Sequence, residues 1–156
     1  MSVKTKLFGE IEIEEEKVIT FEKGIIGFPD LKKFALIHDS DKKDSNIQWL
    51  QSLDDGAVAF PVMDPNGIVD EFNPVVSDDL MERLGDYDVN NDLAVAVILR
   101  VPSDIKDMSV NLKAPVIINT RNNKAIQLIV ESDLAVRFPI YDILQARKEA
   151  AKKEKV

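Results

Sequence analysis

The run Ile47-Gln-Trp-Leu-Gln-Ser-Leu-Asp-Asp-Gly-Ala-Val-Ala-Phe60 holds two strands and the reversal between them. Asp54-Asp55-Gly56 supplies a tight turn, because short acidic side chains followed by glycine adopt the backbone angles a reversal needs. Ile47 and Trp49 share one face of the first strand. On the second, Val58, Phe60 and Val62 share a face opposite Ala57 and Ala59. Such alternation predicts a hairpin packed on one side, since successive strand side chains point to opposite faces. Trp49, the only tryptophan, is expected in that packing; if fully buried, Trp49→Ala costs about 3–5 kcal/mol.

Outward from this hairpin the chain continues as short strands and turns. Towards the N-terminus, Thr5–Glu14 alternates around a turn or bulge at Gly9. Val18–Phe21 is extended. Gly24-Ile-Ile-Gly-Phe-Pro-Asp30 is an unusually apolar loop, either a plug for one end of a barrel or a contact surface for a partner. Phe34-Ala-Leu-Ile37 suggests a strand buried on both faces. Towards the C-terminus, Met63-Asp-Pro-Asn-Gly67 marks a turn and Ile68–Val76 an extended segment. Ser77 is the expected cap of a short helix with Asp78 and Asp79 in its first turn, Leu80, Met81 and Leu84 on its apolar side, and Gly85 at its end. Leu93–Val101 is the strongest strand, covered on both faces. Val110–Leu112, Pro115–Asn119 and Ala125–Val130 follow, the last two joined by Thr120-Arg-Asn-Asn-Lys124, where asparagine tolerates positive φ. Ile140, Ile143 and Leu144 have helical spacing. Some eight to ten short strands with closely spaced turns predict a mainly β protein: a compact antiparallel barrel-like fold with one or two small helices. The expected organisation is a single domain over residues 1–144 and a basic tail, helical or disordered, over 145–156.

The 156 residues include no cysteine, so there is no disulfide or thiol chemistry. No signal-like or membrane-spanning run is visible, and a soluble cytoplasmic protein is expected. The net charge of −8 is unevenly spread. Between Asp54 and Asp92 there are eleven acidic residues and one basic, Arg83, a balance of −10. Gln145–Val156 carries five basic and two acidic residues, or +3. An acidic body disfavours sequence-independent nucleic-acid binding and favours encounter with basic partners.

A catalytic set is hard to assemble. His38 is the single histidine, and one histidine falls short of a usual zinc set. Asp86-x-Asp88-x-Asn90-x-Asp92 has the first ligand spacing of a calcium loop. However, Asn91 stands where that loop needs glycine and Val97 where it needs a bidentate glutamate, so a polar turn is the plainer interpretation. Two alternatives stay open: a small ligand-binding or enzymatic β-barrel using acidic residues and His38, and RNA binding through the basic tail.

Phe8-Gly-Glu-Ile-Glu-Ile13, Ile19-Thr-Phe21 leading into Gly24-Ile-Ile-Gly-Phe28, Lys33-Phe-Ala-Leu-Ile37, Trp49-Leu-Gln-Ser52, Ala59-Phe60 and Asn111-Leu-Lys-Ala-Pro-Val-Ile-Ile-Asn119 occur here in sequence. In order and spacing the chain resembles the flagellar assembly factor FliW family, from about Thr5 to Ile143. Members of that family usually have proline where this chain has Ile26. The resemblance implies a compact β fold, no cofactor and no reaction. It implies two protein partners, flagellin and the RNA-binding translational repressor CsrA, with no direct nucleic acid contact, no membrane, and a monomer when free. Flagellin occupies such a factor until secreted; the freed factor then binds CsrA and relieves repression of flagellin synthesis. On this basis Asp70, Glu71, Asp78, Asp79 and Glu82 are the expected CsrA-facing residues. Phe72 and the Ile25–Phe28 loop are the candidates for flagellin.

Overall fold

The computed structural model describes residues 1–38, 47–68, 78–88, 91–130 and 136–146. Its strands are β1 (Ser2–Thr5), β2 (Gly9–Glu12), β3 (Ile19–Phe21), β4 (Lys33–Ile37), β5 (Gln48–Ser52), β6 (Ala59–Met63), β7 (Leu93–Arg100), β8 (Ser109–Val110), β9 (Val116–Asn119), β10 (Lys124–Gln127) and β11 (Phe138–Pro139). A short helix, α1 (Asp78–Met81), runs on into a 3-10 turn, Glu82–Leu84. Residues 141–146 are helical.

β3 to β7 pair in order, β7 pairs with β9, β9 with β10, and β10 returns to β3, which closes a seven-stranded barrel. Alternating strand direction cannot be carried around an odd number of strands, so one junction has to be parallel. That junction is β3–β10, with Lys124 opposite Thr20 and Ala125 opposite Phe21. The barrel expected from sequence to be antiparallel is so everywhere else. Its interior holds Ile19, Phe21, Phe34, Leu50, Val62, Val116 and Ile118, one face of each contributing strand. Phe21 and Phe34 meet edge to face at 5.2 Å in its centre, an arrangement favoured by the ring quadrupoles.

The central hairpin forms, but the inner face of β5 is the opposite of the one expected. Leu50 lies opposite Phe60, and Trp49 opposite Pro61. Residues directly across an antiparallel pair share a face, so the face that buries Phe60 also takes Leu50 and turns Trp49 outwards. The connection is also longer than a tight turn. The buried Gln51 amide donates to the Ser52, Gly56 and Val58 carbonyls, and Asp55 N–H donates to Ser52 Oγ. Each added residue in such a loop changes which side chain faces in. Trp49 is half-buried and meets Phe8 edge to face at 6.3 Å. Trp49→Ala is therefore expected to cost about 1–2 kcal/mol, not the value for a fully buried ring. Urea denaturation of Trp49→Ala beside Leu50→Ala checks this: the leucine variant should be the less stable.

Phe8 belongs to the hairpin of β1 and β2, two strands where one alternating segment was expected. This hairpin covers the outer face of β5 and donates Lys6 N–H to the Gly56 carbonyl at 3.0 Å. On β4, Phe34 and Ala35 are buried, whereas Leu36 is exposed at the barrel mouth, so burial of both faces holds only for the first half of that strand. β7 is long enough to pair with β9 through Leu93–Ala96 and with β8 through Leu99–Arg100. Leu99, Val110, Leu112 and Ile140 form a second core there, against which Leu144 packs. That contact seats the expected helical spacing of Ile140 and Leu144. The β9–β10 turn places Asn123 at φ 58°, as the asparagine-rich loop predicted. Residues 69–77, which include most of Ile68–Val76 and the Ser77 cap, and 147–156 of the basic tail lie outside the described residues.

Candidate interaction surface

α1 buries one side only. Leu80, Met81 and Leu84 turn down onto Ile117, Leu128 and Val130, the outer face of the β9–β10 layer. Asp78, Asp79 and Glu82 are left exposed on the opposite side. The two aspartates sit in the first turn, where the helix dipole favours negative charge.

Two asparagines fasten this turn to the barrel. Asn119, fully buried at the end of β9, donates through Nδ2 to the carbonyls of Leu84 (2.8 Å) and Asp86 (3.0 Å). Its Oδ1 accepts from Arg121 N–H at 3.0 Å. Asn122 Nδ2 donates to the same Leu84 carbonyl at 2.9 Å. A buried amide with all its partners fixes orientation, because any other arrangement leaves polar atoms unpaired. Sequence reasoning passed over Asn119. The available signal was an asparagine closing an otherwise wholly apolar strand.

The acidic segment is not one surface. Asp54 Oδ2 accepts from Lys32 and Lys33 N–H at 2.8 and 2.9 Å, and Asp55 Oδ1 accepts from Ala57 N–H. Asp64 accepts from Asn66 N–H. Asp92 accepts from Asp88 N–H and pairs with Arg121 at 2.8 Å, and Asp88 accepts from the Asn91 amide. Asp55, Asp64, Asp88 and Asp92 serve local turns, and Asp54 ties the loop after β5 to the start of β4. Within the segment, the side-chain carboxylates of Asp78, Asp79, Glu82 and Asp86 have no hydrogen-bond or ion-pair partner among the described residues, and all four lie on or just after α1. Three of the six residues expected to bind a partner, Asp78, Asp79 and Glu82, thus come together. Asp70, Glu71 and Phe72 lie outside the described residues.

The Gly24–Phe28 loop divides between the two roles considered for it. Ile25 is 3% exposed and plugs the barrel, while Ile26 is 52% and Phe28 41% exposed. Phe28 still leans on Phe60, edge to face at 5.4 Å. His38 stands exposed beside a hollow of about 410 Å3 at the barrel mouth, lined by Leu36, Val62, Ala94, Ile118, Gln48 and Asp64. Among the described residues His38 makes no hydrogen bond, and no group of three or more His, Asp or Glu side chains is arranged to hold a metal ion. No helix among them is long and apolar enough to cross a membrane.

The fold and this surface define a small closed β-barrel that presents an anchored acidic turn. The same architecture occurs in a crystal structure of the flagellar assembly factor FliW, with a TM-score of 0.81 and 28% identity, covering 90% of this chain and 97% of that one. The family described as FliW protein matches residues 2–140. The flagellar assembly factor FliW of Lachnospira eligens is 48% identical over 147 residues, covering 93% of this chain and 97% of the relative. That of Lachnoclostridium phytofermentans is 46% identical over 156 residues, covering 99% and 97%. The chain belongs to the FliW family.

Proposed function

We propose that this chain is a cytoplasmic, non-enzymatic flagellar assembly factor that works by exchanging protein partners. It binds flagellin and, when free of it, binds CsrA and relieves repression of flagellin synthesis. Membership of the FliW family supports the role in assembly. The observation that carries the binding reading is the turn at α1, whose unpaired carboxylates stand on a buried apolar anchor. A rigid acidic turn suits a basic partner such as CsrA, because its charges need no reorganisation on docking.

Asp78 and Asp79 are the first residues to test, together with Glu82. Replacing both aspartates by lysine is expected to weaken CsrA binding about tenfold at low salt. The loss should shrink at moderate salt, as screening removes long-range attraction. Isothermal titration of CsrA at two salt concentrations reads both effects. Unchanged affinity with no salt dependence would remove this turn from the CsrA surface. Reversal of Asp70 and Glu71 in parallel assigns the rest of the acidic segment. For flagellin, Phe72→Ala and substitutions in the Ile25–Phe28 loop are the corresponding variants.

A further inference from the structure

On the side of the barrel where β3 leaves β10, the surface changes character. β3 ends at Phe21, and a turn closed by Gly24 N–H on the Phe21 carbonyl carries the chain away. Gly24 sits at φ +70°, and a Cβ there would lie 2.5 Å from the Phe28 carbonyl oxygen, so no side chain can fill the bend. β10 therefore loses its neighbour after Ala125. Its other edge stays bonded: Leu128 N–H donates to Pro115 and Val130 N–H to Lys113. Strand alternation then turns the backbone groups of Gln127 and Ile129 outwards, and those of Ile129 have no partner among the described residues.

This open edge borders a hollow of about 770 Å3. Ile26, 52% exposed, and Ile129, 61% exposed, offer apolar contacts on it. Gln127 joins the two sides, its Oε1 accepting from Ile26 N–H and its Nε2 donating to the Ala114 carbonyl. A second hollow of about 300 Å3 shares Ile25, Ile26 and Gln127 with the first. The charges around the pair reverse those of the chain. Among the described residues, Lys23, Lys124, Arg83, Arg100 and Arg137 line them, against one acid, Glu22, in a protein with 28 acidic and 20 basic residues. All five cations are exposed, and among the described residues none is in an ion pair.

From this juxtaposition of open strand edge, exposed isoleucines and unpaired cations, we infer that the cleft receives an extended segment of a partner protein that alternates apolar and acidic side chains. The segment adds as a strand along Gln127–Ile129, its backbone bonding the free edge groups. Its apolar side chains rest on Ile26 and Ile129, and its carboxylates meet the rim. This site is opposite in charge to α1 and calls for a partner of opposite chemistry. The apolar floor and the strand edge favour a peptide over a nucleic acid strand, which would require stacking surfaces beside its cations; among the described residues no aromatic side chain lines the first hollow.

The probe is a peptide of about ten residues alternating leucine and glutamate, titrated into the isotope-labelled full chain and followed by backbone amide NMR shifts. A leucine–lysine peptide of equal length and a single-stranded RNA oligonucleotide are the comparison arms. Saturable shifts are expected at Ile26, Gln127 and Ile129 with the acidic peptide. Binding should weaken about tenfold in the exposed-site variant Lys23→Glu/Lys124→Glu. The variant's unchanged spectrum away from the cleft shows that it folds. No shift at those amides, equal binding of the lysine peptide, or saturation by RNA alone overturns the inference.

Discussion

Asn119→Asp is expected to destabilise the chain by about 3–5 kcal/mol at neutral pH, because it buries an uncompensated charge. Asn119 Nδ2 donates to both the Leu84 and the Asp86 carbonyls. A carboxylate of the same shape would face those two oxygens with no hydrogen to offer, in a site with no solvent access. Asn119→Ala removes the charge problem but loses the three hydrogen bonds of the amide, at about 0.5–1.5 kcal/mol each. The pair of variants separates the two effects by pH. Burial raises the aspartic acid's pKa in the folded chain above its unfolded value of about 3.9. For an acid raised on folding, the penalty is absent below the unfolded pKa and grows as pH rises through the folded one. Asn119→Asp should therefore recover stability relative to Asn119→Ala near pH 4, as urea denaturation at both ends of that range would show. Equal pH profiles would mean that Asn119 is not sealed as described. Because Asn119 holds the turn that follows α1, the CsrA binding proposed above is expected to fall with it in surviving folded protein, even though residue 119 is not on the surface.

Gly56→Ala is the second large effect. Gly56 has no unusual φ, and its constraint is space. A Cβ there would lie 1.8 Å from the Lys4 carbonyl oxygen and 3.0 Å from its carbon. Both are backbone atoms of β1 and cannot swing aside as a side chain tip would. The hairpin of β1 and β2 must move off the 53–58 turn, losing the Lys6–Gly56 hydrogen bond and the Phe8–Trp49 contact. The expected cost is about 3 kcal/mol, the upper end for overpacking, and it should be local. Amide exchange should accelerate at Lys6 and along β1 and β2, while the barrel amides of β4 and β9 keep their protection. Protection retained at Lys6 would show that the hairpin does not depend on Gly56. Redder Trp49 fluorescence would accompany detachment, since Phe8 shields that ring.

Much of the barrel was legible in the chain. Phe60 and Val62, Leu93–Arg100, the Pro115–Asn119 and Ala125–Val130 pair, and the short helix ending at Gly85 follow from alternation, spacing and turn residues. These are local signals, set by which side chains a strand or a helical turn presents. The inner face of β5 was not legible. Its alternation is the same whichever face is inward, and the choice of Leu50 over Trp49 rests on register with Phe60 across a loop held open by Gln51. Which carboxylates stand free was half legible. Charge counting gathered Asp78, Asp79 and Glu82 together with Asp54, Asp55, Asp64 and Asp92, which accept hydrogen bonds from backbone N–H groups. A sequence shows that a carboxylate is present, and only the fold shows whether it already has a partner.

The sequence by itself determined that this is a mainly β protein of short strands with an acidic middle, because the patterns responsible extend over a few residues. Its resemblance to the FliW family was legible as well, through the order of motifs along the chain. Only the tertiary structure decided the parallel junction of β3 with β10, since parity of a closed ring belongs to the whole barrel. Only it decided that Asn119 and Asn122 fasten α1, across separations of 35 and 38 residues. The cleft beside β10 arises in the same way. Lys23, Arg83 and Arg137 are distant in sequence and count as ordinary surface charges until barrel closure brings them around a strand edge that has no partner among the described residues.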